Sequence, residues 1–196
     1  MSNLRETKKR ATRQAIADAA GRIYLAEGAE ALTVSHVAEQ AGVSARTFHN
    51  YYSSLNECLA QFALDAVSSI AEKVDEYPAQ ATTTEIFEDI VCKGFRTAEP
   101  ELHSVASLSM VMDYLDKSCF SGVNRDEAKR VAEQVSEAFS RHSPERDAFD
   151  TEVVLHACAA VSASASKAFF ALPEPRDPEV GEQMVRRAFA TLRSIG

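Results

Sequence analysis

The chain has 196 residues, 45% of them hydrophobic and 26% charged, which excludes a largely disordered chain and leaves room for one sizeable core or for a small domain joined to a larger one. A net charge of −8 excludes indiscriminate nucleic-acid binding by the whole surface, yet through Asn56 seven Lys or Arg face five acids, a balance of +2 that leaves −10 for the rest. There is no run of 18 apolar residues and the start MSNLRETKKR is polar and basic, so neither a membrane span nor a secretory signal is expected and the protein reads as cytoplasmic.

Apolar residues recur at helical spacing throughout, and strand-like alternation of useful length is absent. The first helix is predicted from about Leu4 or Thr7 to Glu27, with Ile16, Ala19, Ala20, Ile23 and Tyr24 on one face and Gly28 as its stop. Thr33 then caps a short helix through about Gln40 that turns Val34, Val37 and Ala38 inward; Ala41-Gly42-Val43 forms a sharp turn, and Ser44 caps the next short helix. A longer helix from about Leu55 to Tyr77 carries Leu59, Phe62, Ala63, Ala66, Val67, Ile70 and Val74 as one buried stripe, ended by Pro78 and the polar string to Thr84. Thr82 with Glu85 forms a capping box for a helix to about Thr97.

From about Pro100 to Lys117 the chain is apolar on most sides, through Leu102, Val105, Ala106, Leu108, Met110, Val111, Met112, Tyr114 and Leu115, and is expected to be the most buried segment. Asn124 and Glu127 repeat the capping-box pattern before an amphipathic helix to about His142, with Ala128, Val131, Ala132, Val135 and Phe139 inward. An Ala- and Ser-rich helix from about Arg146 to Leu172 and one from Asp177 to Ile195 complete nine, joined by Pro173-Glu174-Pro175. The fold class is all-α. Cys58, Cys92, Cys119 and Cys158 stand at least 27 residues apart, and His156 and Cys158 would point to different faces of a helix; core thiols are expected, with no metal and no cofactor.

Two short helices joined by a tight glycine turn are what a helix-turn-helix requires, although an αα-corner in a bundle shares those features. The residues around the turn go further. Thr33-Val34 with Val37-Ala38, Ala41-Gly42-Val43-Ser44, and Arg46-Thr47-Phe48-His49-Asn50-Tyr51-Tyr52 together resemble the signature of TetR-family regulators, and the likeness extends upstream through the Ile16-to-Gly28 helix. The later helices are similar only in number and length. The resemblance implies a three-helix DNA-binding domain over 1–54, with the motif at about 33–52, and a larger helical ligand-binding and dimerisation domain over 55–196. In one respect the chain departs from it: Leu55 stands where the family usually has a lysine that touches the DNA backbone.

Helical spacing puts Phe48 and Tyr52 on the side facing Val34, Val37 and Val43, as core. Ala45, Arg46, His49 and Asn50 stand opposite and are the base-reading candidates, because Arg46 can donate bidentately to guanine, Asn50 can pair with adenine and Ala45 suits a thymine methyl. Thr33, Ser44, Thr47 and Tyr51 fit phosphate contacts, as do Lys8, Lys9, Arg10 and Arg13 ahead of or at the start of the first helix, where the resemblance implies an arm.

A single head of this size makes few contacts, so a homodimer on a palindromic double-stranded operator is expected. Ala157, Ala160, Val161, Ser164, Ala168 and Phe169 on the eighth helix, with Met184, Ala188, Leu192 and Ile195 on the ninth, are its interface candidates, or else they pack within one subunit. A small-molecule effector would sit among Phe62, Phe95, His103, Met110, Asp113, Tyr114, Phe120, Phe139 and His156, residues that read equally well as ordinary core with polar guests. The expected function is a ligand-released repressor. Alternatives are an activator, a nucleoid-like DNA binder, or a helical dimer acting through protein partners. There is no phosphate-binding glycine loop, nucleophile elbow or paired set of metal ligands, so neither an enzyme nor catalytic residues are expected.

Overall fold

The computed structural model describes residues 2–96, 102–115, 123 and 125–194. Among the described residues the regular structure is entirely helical: α1 (Ser2–Glu27), a short 3-10 turn (Ala29–Ala31), α2 (Val34–Gln40), α3 (Ala45–Tyr51), α4 (Leu55–Val74), α5 (Thr83–Arg96), α6 (Val105–Tyr114), α7 (Arg125–Ser140), α8 (Ala148–Phe170) and α9 (Pro178–Ser194). The all-α class and the nine helices expected from the sequence are both present. The chain folds as two compact units, Met1–Asp65 with Val111–Ala128 and Ala66–Met110 with Lys129–Gly196.

In the first unit α1 packs on α2 and α2 on α3. Ile16, Ala17, Ala19, Ala20 and Ile23 of α1 are buried, as are Val37 and Ala38 of α2, Phe48 of α3 and Leu59 and Phe62 of α4. Gly21 permits the close approach of α1 and α4, because a Cβ there would lie 2.5 Å from the Phe62 ring. Gly28 stops α1 at a φ of 84°, where only glycine is unstrained, and its amide still bonds the Tyr24 carbonyl at 3.0 Å.

The second unit is built on α5, α8 and α9, which pack against one another. Val91, Cys92 and Phe95 of α5, Cys158, Ala165 and Phe169 of α8, and Val185 and Phe189 of α9 form its main core. Gly181 lets α9 close on it, since a Cβ would come within 2.7 Å of Phe95 and 3.2 Å of Phe169. At the edge Arg96 grips both carboxylate oxygens of Glu182, at 2.8 and 2.9 Å. A smaller cluster joins Val74, Ile86, Ala138 and Phe139, with Phe87 stacked on Phe139 at 4.9 Å. Cys58, Cys92 and Cys158 are buried free thiols, and burial pushes the Cys158 pKa up to about 11; Cys119 lies outside the described residues.

Among the departures from expectation are those of α4 and α6. α4 ends at Val74 rather than Tyr77, because Pro78 disfavours helical geometry at Tyr77 and the last residues close into turn bonds, Glu76 N to Lys73 O and Tyr77 N to Val74 O. α6 begins at Val105 rather than Pro100: the Ser104 hydroxyl accepts from the Ser107 amide at 3.1 Å and starts the helix there, leaving Leu102 in a turn. Nor is α6 interior on most sides, since Met112 and Tyr114 are 44% and 42% exposed; with Val111 turned inward, the 100° step carries Met112 away from the core. The rest of that expected helix, with the Asn124 cap, lies outside the described residues. α8 is long and apolar enough to cross a membrane by length and composition, and only 28% of its most apolar window is buried; one side packs on α5 and α9, and the other is open.

Candidate nucleic-acid interface

The geometry of the head follows from three local devices. Thr33 caps α2 by accepting from the His36 amide at 3.2 Å. At the other end of α2, the Gly42 amide bonds the Glu39 carbonyl at 3.0 Å and the Val43 amide bonds the Ala38 carbonyl at 2.8 Å, the two bonds of a Schellman motif. That motif needs a left-handed residue, and Gly42 supplies it at a φ of 67°. Ser44 then caps α3, accepting from the Thr47 amide at 3.0 Å and lying 2.8 Å from the Thr47 hydroxyl.

α3 has an inner and an outer side. Phe48 and Tyr52 are buried, as their spacing predicts, with ring centres 5.9 Å apart. Tyr52 keeps its polar tip satisfied by donating from its hydroxyl to the Arg13 carbonyl at 2.9 Å, and burial pushes its pKa up. Ala45, Arg46, His49 and Asn50 are exposed together; Thr47 and Tyr51 are half-buried at their margins, and Thr33 and Ser44 are exposed at the helix starts. Leu55 is half-buried in the first turn of α4, which is capped by Ser54 accepting from the Glu57 amide at 3.1 Å.

The basic cluster differs from expectation. α1 already runs from Ser2, so Lys8, Lys9 and Arg10 project from a helix and not from an arm, all three exposed. Arg13 is half-buried and donates to Glu127 of α7 at 2.8 Å. Burial pulls its pKa down, the Glu127 hydrogen bond lifts it, and the net direction is upward. Sequence reasoning missed this contact, and 114 positions of separation left no local signal for it. Gln61 was a visible hint, a buried polar residue inside the Leu59-Phe62-Ala63 stripe, donating to Glu127 and to Asp65 at 2.9 Å each.

The expected effector residues serve different ends within each unit. In the first, Phe62 fills the space over Gly21, Asp113 is exposed, and the exposed Tyr114 sets its ring 5.1 Å from Tyr24. In the second, Phe95 and Phe139 belong to different cores, His103 and Met110 are half-buried and His156 is exposed. Phe120 lies outside the described residues. Of the interface candidates, Ala160, Ser164 and Ala168 are exposed and Ala157 is half-buried. Phe169 is turned into the core against Phe95 at 4.8 Å, and Val161, Met184, Ala188 and Leu192 pack on that core as well. Ile195 lies outside the described residues.

A short helix anchored by buried aromatics, presenting an arginine, a histidine and an asparagine outward behind a glycine turn, has the form of the helix-turn-helix with which DNA-binding transcriptional regulators enter a groove. Residues 12–62 match the family model described as bacterial regulatory proteins, tetR family. Over those residues the chain carries a TetR-type DNA-binding domain, which supports a DNA-binding transcriptional regulator. The match does not extend over residues 63–196, and among curated proteins none matches the chain significantly.

Proposed function

We propose that the protein is a cytoplasmic, homodimeric repressor that binds a palindromic operator and is released by a small-molecule effector. The observation that carries this reading is the exposed row Ala45, Arg46, His49 and Asn50 over the buried pair Phe48 and Tyr52. Arg46 and Asn50 read base edges, Thr33, Ser44, Thr47 and Tyr51 engage phosphates, and Lys8, Lys9 and Arg10 add sequence-independent attraction along α1. The head is taken as 1–54 and the remainder, 55–196, as the effector-binding and dimerisation domain. Two heads on one operator fix a half-site spacing of about 34 Å, and the effector acts by binding better to a form in which that spacing is lost.

The open face of α8 supports the dimer, with Ala160, Ser164 and Ala168 small enough for close helix approach. The test is selection of bound duplexes from a random pool by the purified protein, then titration of the selected duplex. One enriched palindrome is expected. A folded dimer that enriches no motif at moderate salt would overturn the reading and favour a protein partner, which the exchange of the family's lysine for Leu55 already suggests as the rival.

A further inference from the structure

Within the first unit, one carboxylate ties four segments together. Glu127, in the first turn of α7, accepts from Arg13 Nη1 of α1 through Oε2 at 2.8 Å and from Gln61 Nε2 of α4 through Oε1 at 2.9 Å. Arg13 passes the connection on to the end of α3: its carbonyl accepts the Tyr52 hydroxyl at 2.9 Å, and its guanidinium carbon lies 5.5 Å from the Tyr52 ring centre. Gln61 is 2% exposed and also donates to Asp65 at 2.9 Å. Its orientation is dictated by chemistry, because the opposite flip would aim the amide oxygen at two carboxylates. In this orientation Gln61 Oε1 is buried without a hydrogen-bond partner, a destabilising arrangement that the two charge-assisted bonds offset.

An isolated surface ion pair contributes about 0–1 kcal/mol and would position nothing. This one differs in where it leads. α3 has only seven residues and a single buried residue of its own, Phe48, so its placement depends on anchors beyond it, and base reading tolerates displacements of only about 0.5 Å. We propose that Glu127 is a positioning residue for DNA reading: it holds Arg13, and Arg13, through Tyr52, holds the C-terminal end of α3. Arg13 then acts on the head from behind and is not a phosphate contact. The inference rests on the DNA-reading function proposed above.

The sign of one substitution separates the ideas. Removing an acid near a surface that meets a polyanion tightens binding by simple electrostatics, whereas loss of a positioning contact weakens it. The experiment titrates wild type, E127Q, R13M, their double mutant and Y52F against the selected duplex and a scrambled one, at several salt concentrations and well below each melting temperature. E127Q, R13M and Y52F are each expected to weaken binding to the selected duplex by about tenfold, with the double mutant no worse than either single one. Affinity for the scrambled duplex and the dependence on salt stay as in wild type. Tighter binding by E127Q, a salt slope reduced by about 0.9 per head in R13M, additive losses, or a parallel loss on both duplexes would each overturn the proposal. Y52F removes a single oxygen from a ring whose shape is kept, so it decides the matter if E127Q or R13M does not fold. If wild type selects no duplex, the DNA-reading function fails first. Amide hydrogen exchange at Phe48 and Tyr52 then tests the tether alone: faster exchange in E127Q supports it, and unchanged exchange overturns it.

Discussion

Arg46 and Asn50 sit four residues apart on the exposed side of α3, one helical turn, so on the proposed reading their side chains would address neighbouring bases in the same groove. Each bidentate contact is worth about 1–3 kcal/mol of discrimination. Arg46→Ala and Asn50→Ala are therefore expected to weaken binding by that amount per head and to relax the preference at one position each, read out by titrating duplexes with single base changes. Two glycines make a sharper pair of stability predictions. Gly42→Ala meets no atom within 4 Å, so its effect comes from the left-handed backbone alone, a loss of about 1 kcal/mol. Gly21→Ala stands in an ordinary helical backbone where alanine gains about 1 kcal/mol in propensity, yet its methyl group would meet the fully buried Phe62 ring at 2.5 Å. Overpacking of that kind costs about 1–3 kcal/mol or more, so thermal melting should show Gly21→Ala destabilised despite its better helix former.

At the scale of whole elements the caps decide where helices begin, and one of them carries a pH dependence. The Thr82 amide and hydroxyl both donate to the Glu85 carboxylate at 2.8 Å, and the Glu85 amide returns to the Thr82 hydroxyl at 3.3 Å. These bonds hold the Glu85 pKa below its ordinary value. A carboxylate with a lowered folded pKa adds stability above its unfolded value, near about 4.3, and loses it as pH falls through the folded value. Glu85→Ala is thus expected to melt below wild type at pH 7, with the gap narrowing as the pH drops through and below about 4. Thr82→Ala should lose about 1 kcal/mol at neutral pH.

The capping box at Thr82 and the caps at Thr33 and Ser44 were legible in the sequence because their partners lie three residues away. The start of α6 was not, since Ser104 pairs with Ser107 and no acidic residue marks the turn. Its apolar residues also fall on every side, so periodicity assigned it no outer face. The tether from α7 to α1 was beyond reach for a different reason: only the tertiary fold brings Glu127 to Arg13. In the same way α9's seam looked available because pattern alone cannot say whether a helix turns its apolar side to its own subunit or to another.

On the scale of the molecule the proposed dimer turns on which surface joins its two heads. Among the described residues, the exposed large hydrophobics include Phe149 at 71% and Val153 at 49%, both on α8, and His156, Ala160 and Ser164 continue their line at intervals of three and four. The outer positions of α9, by contrast, are mostly polar: Gln183, Arg186, Arg187, Thr191, Arg193 and Ser194, with Ala190 among them. An interface stable enough to hold a dimer buries about 1,200–2,000 Å² in total, and a stripe of small and apolar residues over most of a 23-residue helix suits that requirement far better than a charged one. Val153→Glu combined with Ala160→Glu places like charges from both copies in one seam while leaving the inner face, with Cys158, Ser162 and Phe169, untouched. Sedimentation equilibrium is expected to turn from dimer to monomer, with helicity by circular dichroism unchanged. Binding to a full palindrome should then fall to the level of an isolated half-site, because what is lost is the link between heads and not the reading by either one. A variant that stays dimeric would move the seam off α8, and a wild type that is monomeric at micromolar concentration would remove the two-headed reading itself.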